Sequence, residues 1–335
     1  MLSVKVKQKI VVLGSTSFAG GCFVKKSLDS GFDVLGISRS REPIDFFCPY
    51  ANHKKLKNYT FEQVNINTSI QKLIDLVDHF KPDYIVDFAG QGMVEPSWAQ
   101  PWQWYTTNLT TKSKLIDHLT KCKFLKKYIR ISTPEVYGDQ DNVLTENSSY
   151  MPSTPYAISH AAIDYHLKAY NQQFDFPMIL GRFANFYGPT QQLYRIVPRT
   201  ILSILSKEKL PLHGGGHSRR AFIHGDDVAS GILRMIENGI TGRTYHFSSE
   251  ELISIRGLVE VVCNEMGVNF TDVVNITKDR LGKDMCYEMS FAQTKDEISW
   301  CPNVSLRNGL EECINWITLH YETISELSRE YLHKE

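Results

Sequence analysis

Residues 10–20 read IVVLGSTSFAG, and this stretch decides what kind of fold the chain adopts. The four apolar residues at its start predict a short buried strand, and helix-like apolar spacing begins after Gly20. Gly14 permits a tight turn between the two elements, and Gly20 lets a helix pack closely on a strand. The stretch therefore predicts a strand, a turn and a helix, the opening unit of a parallel α/β sheet.

The same alternation continues along the chain. Apolar runs bounded by turn residues recur, with helix-length segments between most of them. These strand-like runs are residues 10–13, 34–37, 61–64, 84–88, 128–131 and 178–180. Because strands that alternate with helices form parallel sheets, we predict an α/β fold with a Rossmann-type, doubly wound parallel sheet.

The pattern changes after Arg182, where glycine and proline divide the chain into shorter elements. We predict a dinucleotide-binding Rossmann domain over residues 1–190, to which part of 217–250 returns. A smaller C-terminal α/β substrate domain is predicted over 191–335. The predicted helices are a long one between residues 96 and 122, then 155 to about 171, 196–207, 226–237, 254–266, and a stretch from 306 onward.

Composition excludes several classes of function. The 335 residues are 42% hydrophobic, and 37 basic residues balance 37 acidic ones, so the whole chain has no general attraction to nucleic acid or to an anionic membrane. No apolar run approaches the roughly 18 residues of a membrane span. Seven cysteines, an odd number without close spacing, predict neither a disulfide framework nor a metal site. We expect a cytoplasmic protein.

The turn at residues 14–20 resembles a dinucleotide-binding loop. A helix N-terminus offers free amide groups and a positive dipole end to a pyrophosphate. The middle glycine of such loops is a serine here, so the backbone has to approach the phosphate past a β-carbon. The predicted cofactor residues of this loop are Gly14, Ser17, Phe18, Ala19 and Gly20.

Residues 38–41 read SRSR at the end of the second predicted strand, where an NAD site usually has an acidic residue for the ribose hydroxyls. Hydroxyl and guanidinium groups suit a 2′-phosphate, so Ser38 and Arg39 favour NADP over NAD, and a solvated basic turn is the alternative. Two further pairs are expected beside the cofactor at the sheet edge, Asn65 with Ile66 and Ala89 with Gly90.

Later motifs are more specific. Residues 132–138 read STPEVYG after the fifth predicted strand, and residues 156–160 read YAISH at the start of the next helix. Together with the loop at Gly14, they resemble the extended short-chain dehydrogenase/reductases, and within them the nucleotide-sugar 4,6-dehydratases. The likeness covers nearly the whole chain, because residues 182–189, 220–224 and 280–284 look like substrate-side motifs of that family.

The resemblance implies a nucleoside-diphosphate sugar as substrate, NAD or NADP as cofactor, and a transient 4-keto intermediate. It assigns Tyr156 as the base for the sugar 4-hydroxyl and Glu135 as the base for the proton on carbon 5. Thr133 becomes the hydrogen-bond partner of the 4-oxygen. The residues expected to hold the diphosphate are Asn185, Arg195, Arg220 and Arg280, because guanidinium groups suit phosphate oxygens.

Two positions depart from the family pattern. His160 stands where the family has a lysine, and Pro134 stands where it has an aspartate. His160 lies one helical turn from Tyr156, so we expect it near the cofactor, either hydrogen-bonded to ribose or adding charge when protonated; a structural histidine is the alternative. Pro134 cannot donate a proton, so Glu135, a bound water or a residue of the following acidic loop must act as the acid if water is lost.

Three functions therefore stay open. A 4,6-dehydratase leads; an epimerase or 4-dehydrogenase that loses no water comes second, because Pro134 supplies no acid. A catalytically silent sugar-nucleotide-binding protein is third, although Tyr156, Thr133 and Glu135 together argue against it. The resemblance also implies a homodimer, formed by the tryptophan-rich helix near residue 98 and the helix that starts at Pro155.

Overall fold

A seven-stranded parallel sheet is the largest element of the computed structural model, which describes residues 7–140, 142–278 and 287–335. The strands of the described residues are β1 (Lys9–Leu13), β2 (Asp33–Ser38), β3 (Tyr59–Gln63), β4 (Tyr84–Asp87), β5 (Lys127–Ser132), β6 (Met178–Phe183), β7 (Asn185–Tyr187), β8 (Leu210–His213), β9 (Arg219–His224), β10 (Thr244–Phe247), β11 (Leu252–Ser254) and β12 (Val274–Thr277). Each of the six predicted strands overlaps one of β1 to β6. The predicted Rossmann-type sheet is confirmed.

The order across the large sheet is β3-β2-β1-β4-β5-β6-β10, and every neighbouring pair is parallel. The direction in which strands are added reverses between β1 and β4. At such a reversal the loops that follow the two strands diverge, which leaves a crevice at the carboxyl edge of the sheet. The candidate site is expected there.

Helices cover both faces of this sheet. They are α1 (Phe18–Asp29), α2 (Ile70–Phe80), α3 (Pro101–Tyr105), α4 (Thr111–Leu119), α5 (Pro155–Phe174), α6 (Ile196–Leu205), α7 (Gly225–Asn238), α8 (Ile255–Glu265), α9 (Phe270–Val273), α10 (Ala292–Ile298), α11 (Leu306–Leu319) and α12 (Tyr321–Ser325). Side chains alternate along β1, so Ile10 and Val12 pack with α1 and α7, and Val11 and Leu13 pack with α2, α4 and α5. None of the helices in the described ranges is both long and apolar enough to cross a membrane.

The segment between residues 96 and 122 is helical, but it is not the one long helix that the sequence led us to expect. A π-helical turn, Thr106–Thr110, separates α3 from α4. Within it, the buried side chain of Asn108 accepts a hydrogen bond from the Gln91 amide at 2.9 Å and donates one to Ser159 Oγ at 2.9 Å. The turn therefore ties this segment to the loop after β4 and to α5, as π-turns often do at functional sites.

The smaller part of the fold contains a three-stranded sheet, β11-β9-β7, and the parallel pair β8 and β12. Helices α6, α8 and α11 pack against the first of these through an apolar core that includes Tyr187, Phe222 and Leu310. The segment 225–247 returns to the large sheet as α7 and β10, inside the predicted 217–250. The domain boundary at residue 190 stays a prediction.

Helix α11 meets strand β7 without room for a β-carbon. A Cβ at Gly309 would lie 2.7 Å from Cε2 of Tyr187, a fully buried ring. Alanine favours a helix over glycine by about 1 kcal/mol, whereas overpacking costs about 1–3 kcal/mol. We expect the overlap to dominate, so that Gly309→Ala lowers the free energy of unfolding in a urea titration by about 1–2 kcal/mol. Glu311→Ala, at an exposed position of the same helix, is the control, and a Gly309→Ala protein as stable as wild type would contradict the packing described here.

Candidate active site

Hydrogen bonds of Gly14 and Ser17 fix the conformation of the loop between β1 and α1. Gly14, at a φ of +82°, donates its amide to the Ile37 carbonyl at 2.7 Å. Ser17 caps α1: its hydroxyl oxygen accepts from the Gly20 amide at 3.1 Å and donates to the Gly14 carbonyl at 2.7 Å. The β-carbon of Ser17 is thus accommodated, because the side chain turns into the loop. The first-turn amides at Phe18 and Ala19 face the crevice end of the helix, where the helix itself has no acceptor for them.

Two glycines make this loop a shallow cradle. A Cβ at Gly14 would lie 2.9 Å from the Ala89 nitrogen, and a Cβ at Gly20 would overlap the Gly14 carbonyl oxygen. Gly90 is equally close-packed, since a Cβ there would lie 2.8 Å from Oδ1 of Asn108. The predicted residues after β1 and after β4 are therefore neighbours at the strand-order reversal. A helix N-terminus beside bare backbone fits a dinucleotide pyrophosphate.

The end of β2 lies beside this cradle. Ser38 is buried, and its hydroxyl accepts from the Thr16 amide at 3.0 Å, so it braces the loop. Arg39 donates from Nη1 to the carbonyl oxygens of Lys334 and Glu335, both at 2.8 Å. The guanidinium group is therefore bonded to the backbone of residues 334 and 335.

The second predicted pair at this edge, Asn65 and Ile66, follows β3. The Asn65 side chain accepts from the Asn67 amide at 3.0 Å, and Ile66 packs on the apolar core under the loop. Both residues thus lie at the same sheet edge as Ser38. Their predicted place beside the adenine stays a prediction.

The last eight residues, 328–335, cross the crevice, and we call them the tail. The tail contacts the smaller part of the fold through Glu330, which accepts from Arg199 at 2.9 Å, and Tyr331, whose ring lies 5.3 Å from that of Tyr194. Its other contacts reach the large sheet: His333 stacks on Trp104 with ring centroids 5.2 Å apart, the Lys334 carbonyl accepts from Gln91 at 2.7 Å, and Lys334 Nζ donates to Ser40 at 3.1 Å. The sequence alone did not indicate this contact.

Three predicted catalytic residues converge beside the cradle. Thr133 and Glu135 follow β5 in a 3₁₀ turn whose first residue, Pro134, needs no amide hydrogen; Thr133 Oγ1 accepts from the Glu135 amide at 3.3 Å. Tyr156 is the second residue of α5, which Thr154 caps by accepting from the Ala157 amide at 3.1 Å. The helix N-terminus thus directs the phenol to the end of β5.

The groups around Tyr156 shift the pKa of its phenol in opposite directions. Burial and the charge of Glu135 raise the pKa of the phenol, whereas the hydrogen bond with Thr133 and the charges of Arg130 and Arg195 lower it, and the net pKa is above its ordinary value. A phenol with a raised pKa stays protonated near neutral pH. It can act as a base only if additional positive charge stabilises the phenolate. The contacts place all three predicted catalytic residues in one environment.

His160 lies on the same face of α5, with its ring centroid 4.6 Å from that of Tyr156. Burial, Arg130, Lys112 and Arg182 all lower the pKa of this imidazole well below its ordinary value. The imidazole is therefore neutral near pH 7. Of the two roles considered from the sequence, hydrogen bonding fits this environment and added charge does not.

A buried group of charges under the site was missed in the sequence. Lys112 forms an ion pair with Asp87, and Arg130 lies 3.5 Å from the same carboxylate. Burial opposes ionisation of Asp87, yet Lys112 and Arg130 hold its pKa below the ordinary value. The sequence did contain a signal for this group: Asp87 ends the otherwise apolar strand β4 (YIVD), and Arg130 lies in the middle of β5 (KYIRIS).

On the substrate side, two predicted residues meet at one ring. The Tyr287 hydroxyl donates to Asn185 Oδ1 at 2.8 Å, and the Arg220 guanidinium lies 4.4 Å from the Tyr287 ring centroid. Arg195, exposed before α6, is close enough to Tyr156 to act on its pKa. Arg280 lies outside the described residues.

Comparison with known proteins agrees with this geometry. Residues 10–247 match the model of the NAD dependent epimerase/dehydratase family. The chain belongs to this family. Among curated members, the dTDP-glucose 4,6-dehydratase of Escherichia coli is 25% identical over 340 residues, covering 92% of this chain and 93% of the relative.

Solved structures of similar proteins have the same fold as this chain. A dTDP-glucose 4,6-dehydratase from Bacillus anthracis in complex with NAD has a TM-score of 0.83 at 26% identity, over 94% of this chain and 98% of that one. A UDP-glucuronic acid 4-epimerase from Bacillus cereus, in complex with UDP-glucuronic acid and NAD, has a TM-score of 0.84 at 24% identity, over 94% and 100%. The second likeness shows the fold alone.

The cradle gives a direct test of cofactor binding. Gly14→Ala places a Cβ against the Ala89 backbone, so the loop has to move, and we expect the affinity for NAD(H) or NADP(H) to fall about tenfold or more in a fluorescence titration. Gly31→Ala is the matched control, because Gly31 also has a positive φ, +87°, but open space around its Cβ position. Equal affinities in wild type and Gly14→Ala would show that the pyrophosphate is bound elsewhere.

Proposed function

We propose that the protein is an NAD(P)-dependent nucleotide-sugar 4,6-dehydratase that acts through a transient 4-keto intermediate. The convergence of Tyr156, Thr133 and Glu135 beside the dinucleotide cradle carries this proposal. The dTDP-glucose 4,6-dehydratases among the relatives support it. The diphosphate of the sugar nucleotide is assigned to the side of the crevice where Asn185 and Arg220 meet at Tyr287.

Each proposed catalytic group acts at a defined atom of the sugar. A bound NAD(P) would supply the hydride acceptor for carbon 4 of the sugar and the hydride donor for carbon 6. Tyr156 takes the proton of the 4-hydroxyl, while Thr133 hydrogen-bonds to the 4-oxygen. The 4-ketone makes the proton on carbon 5 acidic, and Glu135 removes that proton.

Loss of water needs an acid, and we assign that role to Glu135 as well. After it takes the carbon 5 proton, the carboxyl group holds the one proton that the departing 6-hydroxyl needs, so the elimination needs no second acid. Carbon 5 regains a proton from water when the hydride is added to carbon 6, and this balances the proton that Tyr156 took from the 4-hydroxyl and releases to solvent. Pro134 is buried, occupies the first position of its turn and has no proton to donate. One carboxyl group would thus serve first as base and then as acid.

The alternative is an epimerase or 4-dehydrogenase that loses no water. The observation that favours it is Pro134, which leaves no dedicated acid beside Thr133. Against it stands Glu135, a carboxylate close enough to the Tyr156 phenol to raise its pKa and therefore placed to remove a second proton near the 4-hydroxyl. The two reactions differ in product mass.

The proposal predicts a specific product. Incubation with a panel of nucleoside-diphosphate sugars should give a product lighter by one water in mass spectrometry. Tyr156→Phe deletes only the ionisable oxygen, so we expect turnover to fall about 10³-fold or more while the sugar nucleotide still binds. Tyr321→Phe, at a partly exposed tyrosine of α12, is the control. An unchanged product mass would favour the epimerase, and full turnover by Tyr156→Phe would disprove the assignment of the base.

We further propose a preference for NADP. Residues 38–41, SRSR, offer hydroxyl and guanidinium groups at the end of β2 and no acidic residue for the ribose hydroxyls. The Arg39 guanidinium donates here to backbone oxygens of the tail, and a 2′-phosphate would take their place. Arg39→Ala should weaken NADP binding about tenfold and change NAD binding little in a competitive titration. The reason is that only NADP carries the 2′-phosphate with which the guanidinium would pair. Lys57→Ala, an exposed cation near β3, is the control. Tighter binding of NAD, with both affinities unaffected by Arg39→Ala, would refute this preference.

We also propose a homodimer in the cytoplasm. The cysteines of the described residues are free thiols, which suits a reducing compartment. Large apolar side chains are exposed on α3, on the turn before it and on α5: Trp98 (54%), Trp102 (60%), Ile158 (43%) and Tyr165 (55%). An apolar patch formed by two adjacent helices suits a symmetric contact with a second copy.

The dimer has a direct test in sedimentation at micromolar concentration. We expect twice the monomer mass for wild type. Trp102→Glu should shift the protein toward monomer, because it buries a charge at the contact. Leu319→Glu, at a more exposed apolar residue of α11, should remain dimeric. A monomeric wild-type protein would rule out this interface.

A further inference from the structure

The Tyr156 phenol needs a permanent positive charge if it is to act as a base. Burial and Glu135 raise its pKa, and the groups that act in the opposite direction are Thr133, Arg130 and Arg195. Arg195 is exposed, so solvent and salt screen its charge. Arg130 is buried, with 1% of its side chain accessible, so its charge is screened far less. Arg130 is therefore the main candidate.

His160 is not the source of this charge. The charged groups that face it are Arg130, Lys112 and Arg182, all cations, and burial adds to their effect in lowering its pKa. Protonation would place a fourth positive charge in this region. The imidazole is available as a neutral hydrogen-bonding group only.

Arg130 fixes which imidazole nitrogen carries the hydrogen. Its Nη1 donates to the carbonyl oxygens of Asp87 and Ala89, at 3.0 and 3.3 Å, and its Nη2 donates to Nδ1 of His160 at 3.4 Å. A guanidinium group has no acceptor, so Nδ1 has to accept and the hydrogen of the neutral ring lies on Nε2. Nε2 is buried and has no hydrogen-bond partner among the described residues.

The buried charges also identify Arg130 as the source of the permanent positive charge. Asp87 is one carboxylate shared by Lys112 and Arg130, so the group has one positive charge in excess whenever Lys112 is protonated. Burial and Arg130 lower the pKa of Lys112 to about 7, whereas a guanidinium stays charged throughout. A phenolate at Tyr156 would be the missing negative partner.

We propose that Arg130 and His160 divide two tasks at the Tyr156 phenol: Arg130 supplies the permanent charge that stabilises the phenolate, and His160, held as the Nε2–H tautomer, donates that hydrogen to a ribose hydroxyl of the bound dinucleotide. Arg130 is a positioning residue, because it acts through its neighbours. The inference rests on the proposed function for the identity of the dinucleotide and of the base.

The first test needs neither cofactor nor substrate. Nitrogen-15 NMR of histidine-labelled protein, with the His160 signals assigned by their loss in His160→Gln, reads the tautomer directly. We expect a neutral ring with hydrogen on Nε2 from pH 5 to pH 8. Hydrogen on Nδ1, or protonation near pH 6.5, would overturn the inference, whatever reaction the protein catalyses.

The second test measures the donor. His160→Leu removes the N–H group, whereas His160→Gln keeps a donor in a similar place. Dinucleotide affinity by fluorescence titration should fall about tenfold in His160→Leu and be largely restored in His160→Gln, since one hydrogen bond is worth about that factor. Equal affinities in the leucine variant and wild type would overturn the assignment of the donor.

The third test measures the charge through the pH–rate profile on the substrate found by the panel assay. The rate rises with pH as the phenol ionises, so loss of a nearby positive charge moves this limb to higher pH. Arg130→Gln should move it by about one pH unit, and Arg130→Lys should keep it near its wild-type position. Arg234→Gln, at an exposed cation of α7, is the charge control. If folded Arg130→Gln keeps the rising limb of the pH–rate profile at the wild-type pH, the inference about charge is wrong. Absence of any turnover in wild type would instead refute the proposed function, and the NMR and affinity results would still stand.

Discussion

The close approach of two backbone segments at the strand-order reversal is the constraint on which the site depends. The loop after β1 and the loop after β4 pass so near each other that a β-carbon at Gly14 would reach the Ala89 nitrogen. This contact sets the width of the crevice, aligns the amino end of α1 with the carboxyl edge of the sheet, and places the end of β4 beneath whatever binds there. The positions of Tyr156 and Thr133 follow from it, because β5 is the next strand along the edge.

Directly behind this edge the protein buries charge instead of apolar surface. Asp87, Lys112 and Arg130 are almost fully inaccessible, and a second buried pair, Asp164 with Arg182, lies further along at 2.8 Å. Such pairs seldom stabilise a fold more than a well-packed apolar core would, since desolvation offsets their attraction. Their value here is electrostatic, because they set the potential at the phenol and at the imidazole.

The sheet and the cradle could be predicted from the sequence because they depend on local signals. Apolar runs located β1 to β6, and Gly14 with Gly20 located the turn. The buried charges were missed because a single arginine in the run KYIRIS does not change the strand pattern, and its partner Asp87 is more than forty residues away in sequence. Side-chain register on α5 placed His160 beside Tyr156, but its charge state depends on Arg130 and Lys112, which no local pattern connects to it.

The tail has a consequence for the order in which the molecule assembles. Its contact between Arg39 and Glu335 joins residues 296 apart in sequence. Neighbouring strands of the large sheet pair over much shorter separations along the chain, so the sheet closes shorter loops than this contact does. We therefore expect the tail to dock after the sheet has formed, because the loop that it closes carries the larger entropy cost.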